Sequence, residues 1–200
     1  MEVALLQDEL ISLMYAVSDD LILHGGTAIW RCFSGKRFSE DLDFYSISFP
    51  EKLMEFEKTV RTHGLELRKV ENSGNVIFST VSNGRSIVKL EINHRSIVAG
   101  VNASYELVDG TYIEILSLTR NQFIIEKIRA YEDRRFIRDL YDIFHLVSVE
   151  NDLGDVRSIL LNFMERLEKP VDESVLKSIV YAGIPPTFDR MVEQIRRRIQ

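Results

Sequence analysis

Leu21-Ile22-Leu23-His24-Gly25-Gly26-Thr27-Ala28-Ile29-Trp30-Arg31-Cys32-Phe33 runs through the polar loop Ser34-Gly35-Lys36-Arg37-Phe38-Ser39-Glu40 into Asp41-Leu42-Asp43-Phe44-Tyr45. The apolar run 21–23, the glycine pair and the apolar stretch 28–33 predict a strand, a tight turn and a short helix. From Asp41 to Tyr45, acidic and apolar residues alternate with the two-residue period of a strand. Asp41 and Asp43 therefore share one face of it.

That spacing has a chemical meaning. Each strand residue rises about 3.3 Å, so carboxylates at i and i+2 can bracket divalent cations about 3.5–4 Å apart, the separation of two-metal phosphoryl-transfer sites. Hard oxygen ligands favour Mg²⁺ or Mn²⁺, which take a carboxylate or two and complete their shells with water and substrate phosphates. Gly25 and Gly26, lacking Cβ atoms at a helix N-terminus, offer backbone N–H groups to a phosphate, and Thr27 adds a hydroxyl. Taken singly, each feature has a plainer reading: a glycine pair joins many strands to helices, and Asp-x-Asp occurs on many solvated strand edges.

Composition narrows the field. The chain has 200 residues, 45% hydrophobic and 28% charged, with a net charge of −6. A chain of this length buries roughly 70% of its unfolded surface. The acidic balance argues against sequence-blind nucleic-acid binding, which rests on neutralising phosphates. Local basic patches remain possible. A single cysteine, Cys32, excludes an internal disulfide or a cysteine-built zinc site; with no signal peptide or long apolar run, a cytoplasmic setting without a membrane partner is expected. The histidines at 24, 63, 94 and 145 show no metal-ligand spacing, although His24, beside the glycine pair, could contact a nucleotide.

Around the central stretch, residues 3–17 and 50–63 have helical periodicity. Strands are expected over 65–70, 75–81, 86–94, 104–108 and 112–115, with Asn83-Gly84 and Asp109-Gly110 as hairpin turns. In the third of these, Val88, Leu90 and Ile92 face one way and Lys89, Glu91 and Asn93 the other. Beyond Leu116 the chain turns helical, over 120–131, 138–147, 152–167, 172–181 and 187–200. The expected division is therefore 1–116, a mixed-sheet core, and 117–200, a helical lobe. Arg134, Arg135 and Arg138 could form ion pairs with Glu132, Asp133 and Asp139. Arg196-Arg197-Arg198 reads as a basic tail.

Gly25-Gly26-Thr27, followed by Arg37-x-Ser39-x-Asp41-Leu42-Asp43-Phe44, resembles the signature of the AbiEii/AbiGii (MenT-like) toxin family, a branch of the polymerase-β-type nucleotidyltransferases. Lys127-x-x-Ala130-x-x-x-Arg134-x-x-x-Arg138-Asp139-x-x-Asp142 resembles the family's downstream motif. The resemblance implies an α/β (α+β) fold, a polymerase-β-like mixed sheet with a helical C-terminal lobe, and metal-dependent transfer of a nucleotide from a nucleoside triphosphate (NTP) to an acceptor hydroxyl. It implies an RNA acceptor, such as the 3′ end of tRNA, entering by a local basic patch for which Arg31, Lys36, Arg37 and Arg134 are candidates, and a toxin–antitoxin or phage-defence setting with a cognate antitoxin protein. Asp41 and Asp43 would be catalytic metal ligands; Gly25, Gly26, Thr27 and Lys127 would bind the nucleotide. Asp142 would orient Lys127 or accept a proton from the incoming hydroxyl. Such sites take a further acid from a neighbouring strand, for which Glu91 is the candidate; a solvent-facing charged stripe is its other reading. A non-catalytic nucleotide-binding module and a metal-dependent phosphohydrolase are the alternatives.

Overall fold

The computed structural model describes residues 2–96, 98–149 and 153–200. They divide into two compact units, Met1–Cys32 with Ser39–Leu118, and Phe33–Phe38 with Thr119–Gln200. The helical unit thus takes in part of the loop that precedes the Asp-x-Asp strand.

In the first unit, α1 (Glu2–Val17) leads to β1 (Ile22–His24), and α2 (Gly25–Cys32) starts directly at the glycine pair. The glycines are therefore the helix's first turn rather than a separate turn before it. Next come β2 (Leu42–Tyr45), α3 (Phe49–Thr62), β3 (Glu66–Asn72), β4 (Val76–Ser82), β5 (Ile87–Asn93), β6 (Val101–Glu106) and β7 (Tyr112–Ser117). All seven strands form one mixed sheet in the order β3-β4-β5-β2-β1-β7-β6. At its centre β2 runs antiparallel to β1 and parallel to β5.

Alternation decides the faces. Leu42, Phe44, Val88, Leu90 and Ile92 are buried, as are Leu6, Leu10, Ile11 and Met14 of α1 and Phe49, Phe56 and Val60 of α3. The intervening Lys89 and Glu91 are exposed on the opposite face. At roughly 1.5–3 kcal/mol per fully buried large apolar side chain, that inner layer fixes the register of β2, since a one-residue slip would bury both aspartates. At the far end of β2, Asp20 accepts hydrogen bonds from the hydroxyls of Ser18, Ser46 and Ser48 and from the Ser48 amide. Partial burial raises its pKa, but these bonds outweigh that and hold it down at about 2.

In the second unit, Thr119 and Gln122 form a reciprocal capping box that starts α4 (Arg120–Arg134). Arg135, with φ of +52°, ends it. The helices α5 (Ile137–Val149), α6 (Val156–Glu165) and α8 (Phe188–Ile199) pack with α4 around Phe123, Ile128, Leu140, Ile143, Phe163 and Ile195. The three C-terminal arginines belong to α8, and Ile199 beyond them is buried, so they are not a frayed tail.

Two expected segments differ. The helix expected over 172–181 is a 3₁₀ turn (Glu173–Val175) and a single helical turn, α7 (Leu176–Ile179). The loop 33–38 takes over its backbone groups: Phe38 donates to the Ile179 carbonyl at 2.9 Å and Tyr181 to the Lys36 carbonyl at 3.1 Å. The strand expected over 104–108 is displaced toward the N-terminus, because the Val108 amide leaves the ladder to donate to Asp8 at 2.7 Å. Asp152, the expected start of α6, lies outside the described residues. Among the described residues, no helix is long and apolar enough to cross a membrane.

Candidate functional site

The site is built first by what cannot occupy it. Gly25 has φ of +74°, and a Cβ on it would stand 2.0 Å from Oδ2 of Asp43. Only glycine permits both the left-handed backbone and the close approach of that carboxylate. Asp43 thus lies against the first turn of α2, where unpaired backbone N–H groups and the helix dipole favour negative charge.

The neighbouring segment is clamped from below. Thr27 is fully buried and its hydroxyl donates to the Asp41 carbonyl at 2.6 Å, while the Gln7 amide of α1 donates to the Ser39 carbonyl at 3.0 Å. Thr27 therefore holds the chain entering β2, instead of turning its hydroxyl out to a phosphate as expected from sequence. His24, level with Asp43 in the β1–β2 ladder, stacks on Tyr45 with ring centroids 4.0 Å apart.

Glu91 stands directly beside Asp43 in the parallel β2–β5 pairing. Lys89, two residues earlier, brings its ammonium to 4.0 Å from Asp41. Asp41, Asp43, Glu91, Lys89, Lys69 and Phe78 border a cleft of about 230 Å³ on this face. Among the described residues, no three His, Cys, Asp or Glu side chains group closely enough to hold a metal unaided. Two aspartates facing a cleft nonetheless suit a Mg²⁺ ion, which takes one or two carboxylates and draws its other ligands from water and phosphates.

In the second unit, Lys127 and Asp142 meet inside a network of charges. Arg37 grips Asp142 with two hydrogen bonds of 2.5 and 2.6 Å. Lys127 Nζ lies 3.0 Å from Asp142 and 3.6 Å from Asp139, and Arg134 grips Asp139 with two bonds of 2.8 Å. Three cations face two carboxylates, a net charge of +1. Asp142 is 1% exposed; burial raises its pKa, but Arg37 and Lys127 overcome this and hold it below the usual carboxylate range. A carboxylate so stabilised in its ionised form is a poor proton acceptor, which leaves the positioning of Lys127 as the role its geometry fits.

Two members of the expected basic patch are not at the surface. Arg37 is the buried partner of Asp142, and Arg31, 7% exposed, pairs with Asp8 at 2.7 Å and lies over the ring of Trp30. Sequence reasoning assigned Arg37 to RNA because its partner lies 105 residues away. Lys69, Phe78 and Lys89 were passed over as ordinary strand residues; only the topology brings them beside the aspartates.

Comparison with solved structures shows the same fold elsewhere. JHP933 from Helicobacter pylori is 20% identical with a TM-score of 0.69, the match covering 100% of this chain and 91% of that one. The enzyme ANT(2″)-Ia, solved in complex with adenylyl-2″-tobramycin, is 13% identical with a TM-score of 0.53, covering 83% of this chain and 99% of its own. No curated protein matches the chain. Residues 13–198, which take in the Gly25 seat of Asp43 and the Lys127–Asp142 pair alike, match the family described as nucleotidyl transferase AbiEii toxin, type IV toxin–antitoxin system, and to that family the chain belongs.

Proposed function

We propose that this nucleotidyltransferase-fold chain moves a nucleotidyl group from an NTP to a hydroxyl of RNA, with Mg²⁺ held by Asp41 and Asp43. What carries this assignment is the seat of Asp43 on Gly25: a carboxylate and a helix N-terminus side by side, one suited to a cation and the other to a phosphate. When bound, the cation neutralises charge on the triphosphate oxygens.

The chain's own residues do the rest. The first-turn amides at Gly25 and Gly26 receive phosphate oxygens, and Thr27 keeps Asp41 in place through its carbonyl. Lys127 is assigned to the nucleotide by its place in the downstream motif, and Asp142, itself gripped by Arg37, fixes its ammonium. The acceptor oxygen bonds to the α-phosphorus as the bond to the β-phosphate bridging oxygen breaks; pyrophosphate leaves, and the hydroxyl proton passes to water. Glu91, exposed and level with Asp43, is the candidate for a further metal ligand. Preorganised charge of this kind supplies most of the acceleration in phosphoryl transfer. The family's toxin–antitoxin setting supports a cognate antitoxin as partner, with action in the cytoplasm as part of the proposal.

Purified protein incubated with Mg²⁺, each labelled NTP in turn and total RNA tests the proposal. Label on RNA, abolished by EDTA, is expected. Free phosphate or mononucleotide without labelled RNA would indicate a phosphohydrolase; nucleotide binding with no product would indicate a binding module.

A further inference from the structure

Asp43 has two flanks. Gly25 and α2 lie toward β1, and in the other direction β5, β4 and β3 follow in turn. Three interstrand spacings, roughly 14 Å, separate β2 from β3. The phosphate-binding features lie on the first flank, and the cleft opens on the second.

Three features of the second flank are unlike an ordinary solvated sheet face. Phe78 of β4 is 41% exposed between the buried Ile77 and Ser79. It stands across the ladder from Glu91 on one side and Glu71 on the other, where an aromatic ring gains nothing from a core. Register between β3 and β4 shifts from Arg68 to Glu71, and Lys69 within that bulge has φ of +49°, a backbone that non-glycine residues seldom adopt. Such bulges re-aim side chains and recur beside active sites. Here Lys69 borders the cleft opposite Lys89.

From these features we infer that this flank receives the acceptor as single-stranded RNA: a base stacks on Phe78, while Lys69 and Lys89 each neutralise a backbone phosphate. The inference rests on the transferase reading above and names residues for its second substrate. Aromatic stacking with flanking cations is how proteins hold single strands without reading sequence. A peptide acceptor would instead add to the sheet at the free edge of β3, and the bulge interrupts that edge. Lys69 and Lys89 border this cleft beside Asp41, Asp43, Glu71 and Glu91, so the phosphates would be held at the two lysines and the base at Phe78.

Fluorescence anisotropy with a short 5′-fluorescein-labelled single-stranded RNA of mixed sequence, in Mg²⁺ without NTP, tests this. Phe78→Ala should weaken RNA binding about tenfold and Phe78→Tyr should restore it. Lys69→Gln and Lys89→Gln should each reduce the slope of log K against log salt by about 0.7. Binding of a fluorescent ATP analogue should be the same in the two Phe78 variants and in Lys69→Gln. RNA affinity unchanged in Phe78→Ala, an equal loss of the ATP analogue, or transfer of label to protein in place of RNA would each overturn the inference. Because RNA binding is read without turnover, it can fail while transfer persists, and the transferase reading can fail while the binding pattern stands.

Discussion

Asp43 and Asp142 are both carboxylates set against positive potential, and they are stabilised in opposite ways. Asp43 leans on a glycine at the start of α2 and borders an open cleft. Asp142 is sealed from water and gripped by Arg37 and Lys127. A carboxylate that borders an open cleft is reached by an incoming ligand. One whose oxygens are taken by two cations has spent them on structure, since its desolvation is offset only while both partners remain. The first unit thus offers binding capacity; the second fixes geometry.

The contrast predicts different failures. Asp142→Ala should cost the most stability, about 3–5 kcal/mol, because Arg37 and Lys127 would be left buried without their shared partner. Urea unfolding measures this, and a loss below 1 kcal/mol would mean the network is dispensable. Replacing Gly25 by Ala should cost about 1–2 kcal/mol for the left-handed backbone alone. It should also cut transfer about 100-fold by displacing the Asp43 carboxylate; steady-state rates beside the unfolding midpoint separate the two. Thr27→Val, equal in size but without the hydroxyl bonded to the Asp41 carbonyl, should cost about 1 kcal/mol and raise the Mg²⁺ concentration needed for half-maximal transfer.

Acid should weaken the fold through its lowered carboxylates. Asp20 titrates at about 2 in the fold and near 3.9 when unfolded. Its contribution is therefore complete above pH 4 and lost as pH falls toward 2. Asp142, also lowered, acts in the same sense. Thermal midpoints from pH 6 to 2.5 should fall below pH 4, and less steeply in Asp20→Asn.

Much of the first unit was legible because local patterns carry it. The two-residue alternation of Asp41-Leu42-Asp43-Phe44 and of Val88 to Asn93 gave the faces, and burial of Leu42, Phe44, Leu90 and Ile92 enforces them. The helix start at Arg120 was legible from the apolar period that follows it, and the Thr119–Gln122 capping box enforces it. What escaped was pairing at a distance and departures from periodicity. The grip of Arg37 on Asp142 depends on the loop 33–38 joining the helical unit, which no local pattern encodes. The bulge at Lys69 contains no glycine to announce it, and Phe78 in an alternating strand looks like core until the topology leaves its face uncovered. Thr27 was placed in the right element with the wrong partner, since its hydroxyl has the Asp41 carbonyl within reach.

The most direct test sets Asp43→Asn beside Asp142→Asn, reading single-turnover transfer of labelled nucleotide to RNA and the unfolding midpoint of the same samples. Asp43→Asn should lose transfer by at least about 1000-fold, some 4 kcal/mol of transition-state stabilisation, with its midpoint unchanged or raised. Asp142→Asn should lower the midpoint, and its transfer should recover in part at high NTP concentration as the mispositioned Lys127 is saturated. Full transfer by Asp43→Asn would contradict the account, because the carboxylate seated on Gly25 would then have no part in the chemistry.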